Sequence, residues 1–434
     1  MKIFDTRSPA FASARQELDR RYEPPLDLQT KVAQILAEVR RHGDRALIRF
    51  ARQFDQVTLK ASQLAVAESE LASAYGSASL LTRRALRDAH TNIRAFAEHS
   101  LRKSWSMKNE HGATVGERFD PFQRVGIYVP AGSAPLASTA LMTATFAQAA
   151  RVPEIVVCSP CRSDRSLDPT VLAALAMAGV SEIYRIGGAQ AIAAMAYGTE
   201  SIRPVEKIFG PGNRWVVEAK RQVFGRVAVD LLPGPSEVAV IADATANPAW
   251  IAADLLAQAE HGAESATLLL TPSTKVVAAV EREIKRQAAR LSRGALLSAS
   301  LAAHCWLVRT RDMDEAVELL NAYSPEHVAL HTAKPRQLAQ QIRTAGAIFV
   351  GGTSPVAAGD FVAGPSHELP TGGAGKSFAG LTGDQFQRRT SIVEYPLNAL
   401  RRAHPSIAEF SRLEGLDAHG RSSAIRLEPT HKGR

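Results

Sequence analysis

The sequence predicts an α/β protein built on parallel sheets with helices on both faces. Three observations predict it. Short β-rich runs alternate with helical runs from about residue 124 to residue 350, and such alternation makes parallel sheets covered on both sides. The chain has 434 residues, too many for one small core, so more than one domain is expected. Several strand-to-helix junctions are rich in glycine and polar residues, and such sheets hold ligands at the carboxyl ends of their strands.

The elements follow in order. Val32, Ile35, Leu36 and Val39 recur at helical spacing, and Gly43-Asp44 breaks the run. A second helix is expected over about 80–98. A strand at 124–129 is closed by Pro130-Ala131-Gly132-Ser133. Helix 138–150, strand 154–158, helix 169–178, strand 182–186 and helix 189–196 follow. The alternation continues with strand 205–209, helix 213–224 and strand 227–231. It resumes with strand 237–241, helix 248–261, strand 266–270 and helix 274–291. Strand 305–308, helix 312–322, strand 328–330, helix 334–344 and strand 347–350 complete it. After about Leu381 no clear strand is visible, and the tail reads as a small helical arm. No repeat of a solenoid period is present.

Composition narrows the class. A hydrophobic content of 45% with 22% charged residues fits a soluble globular enzyme. No apolar run is long enough to span a bilayer. The first residues, Met1 to Arg7, carry no apolar signal region. Three cysteines cannot build a disulfide framework, which agrees with a reducing compartment, so a cytoplasmic location is expected. The net charge of +9 raises the question of nucleic acid. The basic residues are scattered in pairs such as Arg40-Arg41 and Arg388-Arg389, without a stripe of interleaved aromatics. A positive field also suits an anionic dinucleotide.

Three junctions stand out: Tyr128-Val129-Pro130-Ala131-Gly132-Ser133, Gly187-Gly188-Ala189-Gln190 and Gly210-Pro211-Gly212-Asn213. Glycine admits close backbone approach, and a helix N-terminus favours phosphate. Each loop alone is ordinary turn chemistry; three in consecutive βα units favour a nucleotide cleft. The G-x-G-x-x-G fingerprint is absent, so a nucleotide must be held in a non-standard way. Pro370-Thr371-Gly372-Gly373-Ala374-Gly375-Lys376-Ser377 resembles a Walker A loop. Proline replaces its first glycine, however, and no apolar strand leads into it. It reads as a mobile glycine-rich loop.

The chemistry-bearing pair is Glu326-His327, beside the apolar run Val328-Ala329-Leu330. A carboxylate and an imidazole side by side can activate water and shuttle protons; a solvated helix-to-strand turn is the plainer alternative. Gln258 and His261 end a helix whose apolar face is Ile251, Leu255 and Leu256, and they share a face at i and i+3. That spacing also fits a simple helix C-terminal turn. With Asp360, His367 and His419 they offer nitrogen and oxygen donors that suit zinc better than manganese. Cys158-Ser159-Pro160-Cys161 lacks a partner pair and reads as a strand end. Cys305 opens an apolar strand and reads as core rather than as a nucleophile.

Several of these segments together resemble histidinol dehydrogenase. They are Ile127-Tyr128-Val129-Pro130-Ala131-Gly132-Ser133-Ala134-Pro135-Leu136, Gly187-Gly188-Ala189-Gln190-Ala191-Ile192, Lys207-Ile208-Phe209-Gly210-Pro211-Gly212-Asn213, Gly234-Pro235-Ser236-Glu237-Val238, Gln258-Ala259-Glu260-His261-Gly262 and Ser324-Pro325-Glu326-His327. Their order and spacing match over nearly the whole chain. The resemblance implies a four-electron oxidation of L-histidinol to L-histidine with two molecules of NAD in turn, at the end of histidine biosynthesis. It implies zinc on Gln258, His261, Asp360 and His419, and an acid–base pair of Glu326 and His327. Ser236, His367 and Glu414 fall at substrate positions, which the zinc ligands and His327 also border. Tyr128, Gln190 and Asn213 fall at NAD positions. A homodimer is implied, in which the C-terminal arm reaches the partner's site.

The expected fold is therefore two Rossmann-like parallel-sheet domains of incomplete dinucleotide-binding type, with small helical arms at both ends. The expected boundaries are an N-terminal arm over 1–26, a discontinuous first domain over 27–129 and 239–381, an inserted NAD-side domain over 130–238, and a C-terminal arm over 382–434. Two departures from the family pattern are local. Glu368 stands where an apolar residue or threonine is usual, and 372–377 is unusually rich in glycine. Related enzymes oxidise other small alcohols, such as a sulfonated propanediol, on the same core; Glu414 and His419 tie this chain to histidinol. A non-catalytic basic binding protein on the same fold is the alternative of another class. Neither nucleic acid nor membrane is expected as a partner.

Overall fold

The computed structural model describes residues 1–18, 23–131 and 136–429. Gly132 to Pro135 of the first glycine-rich loop lie outside the described residues. The chain forms two compact units, Met1–Ser100 with Phe122–Gln385, and Leu101–Pro121 with Phe386–Arg434. Among the described residues the strands are β1 (Lys2–Asp5), β2 (Trp105–Lys108), β3 (Thr114–Pro121), β4 (Arg124–Tyr128), β5 (Glu154–Cys158), β6 (Glu182–Tyr184) and β7 (Lys207–Phe209). They continue with β8 (Ala228–Val229), β9 (Glu237–Ala242), β10 (Ala266–Thr271), β11 (Cys305–Arg309), β12 (His327–His331), β13 (Ala347–Val350) and β14 (Gln387–Glu394).

The first unit holds two sheets. One has six strands in the order β1-β11-β10-β9-β12-β13, and the other has five in the order β6-β5-β4-β7-β8. Every pairing in both is parallel. β9, β10 and β12 are buried along their whole length, as unbroken apolar runs between two helical layers must be. Val238, Val240 and Ala329 pack with Ile251, Leu255 and Leu256 on one face. Ala239, Ile241, Val328 and Leu330 pack with Ala316, Leu319 and Leu320 on the other. Helix Pro248–Ala259 is set by its start: the Asn247 side chain accepts the Ala249 N–H at 2.9 Å, and Pro248 opens the first turn. Burial of Leu255 and Leu256, at roughly 1.5–3 kcal/mol each, fixes its rotation and thereby the direction of Gln258.

The structure departs from the expected organisation in several places. Arg124–Tyr128 is the central strand of the five-stranded sheet, and helix Leu26–Phe50 packs in the same core as Ala191, Ile208 and Val216. Helix Leu26–Phe50 and β4 thus lie with the five-stranded sheet, and Leu101–Pro121 with the second unit, rather than with β9 to β13, because alternation of elements does not reveal which sheet a strand joins. Gly43 does interrupt that helix, at φ 49°, but helical structure resumes after it. The N-terminal segment opens not as helix but as β1, an edge strand on β11, with Phe4 stacked on Trp306 at 4.8 Å. An additional helix, Gly294–His304, precedes β11, and the helix expected over 334–344 is shortened to Pro335–Ala339.

The second unit contains an antiparallel sheet of β14, β3 and β2. The tail is therefore not wholly helical. β14 hides in the sequence because Gln387, Arg388, Arg389 and Thr390 are polar and the strand is mostly exposed, so no apolar alternation marks it. Helices Leu397–Glu414 and Asp417–Ala424 follow, separated by Gly415 in the left-handed region at φ 67°. No helix among the described residues is long and apolar enough to cross a membrane.

Candidate active site

The sequence places ligands at carboxyl ends of strands. Of the expected nucleotide residues, Tyr128 ends β4, and Gln190 and Asn213 follow β6 and β7, so all three lie at carboxyl ends of strands. Glu326 and His327, the expected acid–base pair, sit at the opposite pole of their own sheet. His327 is the first residue of β12 and Ser236 immediately precedes β9. The reason is connectivity: residues 230–236 run from the carboxyl end of β8 straight into the amino end of β9.

Glu326 reaches its place through a helix stop. Ser324 caps helix Met313–Tyr323 in the left-handed region, φ 54°, an uncommon conformation for a residue with a side chain. Pro325 then turns the chain into β12. Glu326 Oε2 accepts the Glu237 N–H at 2.8 Å, and the Ser236 hydroxyl also bonds it. Burial pushes its carboxyl well above the usual range, and the Glu237 and Asp360 charges add to this. His327 Nδ1 donates to the Glu237 carbonyl at 3.1 Å. That bond leaves Nε2 as the basic nitrogen, 3.8 Å from Asp360 Oδ1. Burial pulls the imidazole down to about 4, so it is neutral at pH 7 and free to take a proton.

The proposed metal donors divide between the units. Gln258 is 1% exposed, and both its amide oxygen and nitrogen are buried without a hydrogen-bond partner among the described residues. An orphaned buried amide costs about 1–3 kcal/mol unless a ligand engages it. His261 Nδ1 donates to the Ala257 carbonyl at 3.0 Å, which leaves Nε2 free. His261 is close enough to His327 and His367 to lower both electrostatically. Asp360 is buried on the short helix Val356–Phe361. An amide oxygen, an imidazole and a carboxylate are donor types that suit zinc. Among the described residues no three His, Cys, Asp or Glu side chains gather as a metal cage. His419 belongs to the second unit, as does Glu414. Both are exposed, and a 260 Å³ hollow of that unit is lined by them with His111, Tyr395 and Phe410.

His367, expected at the substrate, has both ring nitrogens engaged. Nδ1 donates to the Asp360 carbonyl and Nε2 meets Thr139 Oγ1, each at 2.9 Å. Among the residues expected at a nucleotide, the Tyr128 hydroxyl accepts the Gly188 N–H at 3.0 Å, and burial pushes the phenol up to about 12. Asn213 caps helix Arg214–Val223 through Oδ1, at 3.0 Å from Trp215 N, so its amide nitrogen points elsewhere. Gln190 is buried with Nε2 unpartnered. Gly210 has φ 109°, and a Cβ there would lie 2.1 Å from the Tyr128 carbonyl oxygen. Gly210→Ala is therefore expected to destabilise the protein by about 1–3 kcal/mol or more, read as a lowered thermal midpoint.

Other motifs resolve simply. Cys305 and Cys158 are buried in strands, and burial pushes the Cys158 thiol up to about 12. The Walker-like segment has no strand before it; Thr371 Oγ1 accepts the Gly234 N–H at 2.5 Å and the Gly372 N–H meets Glu237 Oε2 at 3.2 Å. Lys220 and Asp230, a buried pair beside Gly210, went unnoticed in the sequence, where nothing links two polar residues ten positions apart.

Comparison with known proteins agrees with this arrangement. The histidinol dehydrogenase family model matches residues 18–427. The chain is 45% identical over 397 residues to histidinol dehydrogenase of Geobacillus kaustophilus, covering 92% of this chain and 93% of that one. It is 42% identical to that of Brucella suis over 424 residues, covering 98% and 97%. The crystal structure of histidinol dehydrogenase from Elizabethkingia anophelis superposes with a TM-score of 0.93 at 32% identity, over 98% of both chains. An acetylating aldehyde dehydrogenase from Geobacillus thermoglucosidasius, at 15% identity and a TM-score of 0.50, shares the fold alone. The match of sequence and structure over nearly the full length places the chain in the histidinol dehydrogenase family.

Proposed function

We propose that the chain oxidises L-histidinol to L-histidine through L-histidinaldehyde, as a homodimer with one zinc per subunit and NAD as the oxidant. The observation that carries this reading is the buried Glu326-His327 pair, together with the orphaned amide of Gln258 one helical turn before His261, whose charge reaches His327. Gln258, His261 and Asp360 would hold zinc from the first unit, with His419 completing the set from the partner's arm. When bound, zinc would fix the substrate through its nitrogen donors, and NAD would accept the hydride lost at each oxidation.

The chain's own groups handle protons and water. His327 Nε2 takes the hydroxyl proton as the alcohol carbon loses hydride, and Nδ1 stays tied to the Glu237 carbonyl. Glu326 then deprotonates the water that adds to the aldehyde, and the hydrate loses the second hydride to give the carboxylate. A carboxyl whose burial raises its proton affinity is a stronger base once ionised. Glu414 would face the substrate's ammonium or imidazole and favour a cation. Tyr128, Gln190 and Asn213 would border the nucleotide.

Metal dependence tests the reading. NADH formation from histidinol is expected to fall with a chelator and return with zinc. His261→Asn is expected to lose most of its bound metal by elemental analysis. Full activity in a preparation shown to be metal-free would reject the zinc assignment, and preference for another small alcohol would reject the substrate.

A further inference from the structure

Glu368 is an ionisable residue where the family resemblance leads one to expect an apolar residue or threonine, and the steps above leave it unused. It is buried. Thr143 Oγ1 lies 2.5 Å from Glu368 Oε1, while Oε2 is buried with no donor in reach among the described residues. The Asp230 carboxyl stands within hydrogen-bonding distance of it. Asp230 is already supplied with donors: Oδ2 accepts the Gly210 N–H at 2.7 Å, and Oδ1 pairs with fully buried Lys220. Lys220 also donates to the Gly210 carbonyl at 2.8 Å.

The other side of Glu368 leads to the active site. Thr143 Oγ1 lies 2.8 Å from the Thr139 carbonyl. The Thr139 hydroxyl meets His367, and His367 holds the Asp360 carbonyl. One unbroken buried polar chain therefore runs from the 210–213 loop to the residues around His327. Thr143 has one hydroxyl proton for two acceptors, and two facing carboxylates share one ammonium. The chain closes without an unpaired charge only if one carboxyl carries a proton.

We propose that Glu368 is a positioning residue which, as a neutral carboxylic acid bridging Asp230 and Thr143, ties the 210–213 loop to His367. For its nucleotide side this rests on the function proposed above. Burial pushes the Glu368 carboxyl up to about 8, and Asp230 pushes the same way against Thr143 and Lys220. Lys207 and Asp384 are the next charges out, around Asp230. A folded-state value raised above the unfolded one means stability that is complete at low pH. It is lost as pH rises from the ordinary glutamate range through about 8.

Glu368→Gln and Glu368→Leu in the full-length protein test this. Glutamine can donate to Asp230 and accept from Thr143 but has no proton to lose. Glu368→Leu is expected to raise the KM for NAD by about tenfold or more, and Glu368→Gln to recover most of that loss at pH 7. Between pH 7 and 9 the wild-type KM for NAD is expected to climb while that of the glutamine variant stays flat. Between pH 5 and 8 the wild-type thermal midpoint is expected to fall relative to that of the glutamine variant. A glutamine variant as impaired as the leucine one would overturn the proposal, as would parallel pH curves of the midpoint. The midpoint needs neither turnover nor a folded leucine variant. A wild-type protein that makes no NADH from histidinol would instead reject the function, leaving the midpoint comparison to decide Glu368.

Discussion

Glu326→Gln is expected to slow oxidation of L-histidinaldehyde by on the order of a hundredfold or more, and to spare oxidation of L-histidinol. Only the aldehyde step needs water made nucleophilic, and an amide cannot take its proton. The substitution changes little else. A glutamine oxygen can still accept the Glu237 N–H that Glu326 Oε2 accepts at 2.8 Å, and the volume is conserved. His327→Asn is expected to slow both oxidations, because Nε2 is the basic nitrogen for the alcohol proton while Nδ1 is committed to a carbonyl. The check is single-turnover NADH formation from the alcohol and, separately, from supplied aldehyde. Equal loss of both half-reactions in Glu326→Gln would remove that residue from the water step.

The sequence announced most of the parallel architecture, and physics explains the gaps. β9, β10 and β12 are readable because burial on both faces demands unbroken apolar runs. β14 is not, because an exposed edge element needs no apolar alternation. Pairing order is likewise silent: nothing local in Arg124–Tyr128 says that it lies between β5 and β7. The candidate site residues are named by type and motif, yet their full geometry is not legible in the sequence. Adjacent Glu326 and His327 point to proton chemistry and stand just before the apolar run 328–330; that Ser236, at the amino end of the neighbouring β9, joins them there was not legible. Glu368 was legible only as an oddity. Its meaning lies in Thr143, Asp230 and Lys220, which are well over a hundred positions away in the chain.

Mixing two nearly inactive variants is expected to restore activity. The proposed metal set has Gln258, His261 and Asp360 in the first unit and His419 in the second. Glu414 and His419 are exposed, and Phe410 and Leu413, each 64% exposed, continue the same helical arm. Apolar side chains left open beside charged ones suit docking on another protein, which in the proposed homodimer is a second copy of the chain. In a heterodimer of His261→Ala and His419→Ala chains, an arm acting in trans puts both defects in one site and leaves the other intact. Random pairing after unfolding and refolding together makes half the dimers mixed, each with one good site. Recovery should approach about one quarter of wild-type activity. An arm acting within its own chain leaves every site with one defect, and mixing restores nothing. Absence of recovery, with heterodimers shown to form by co-purification of two differently tagged chains, would reject the exchanged arm and return His419 to its own subunit.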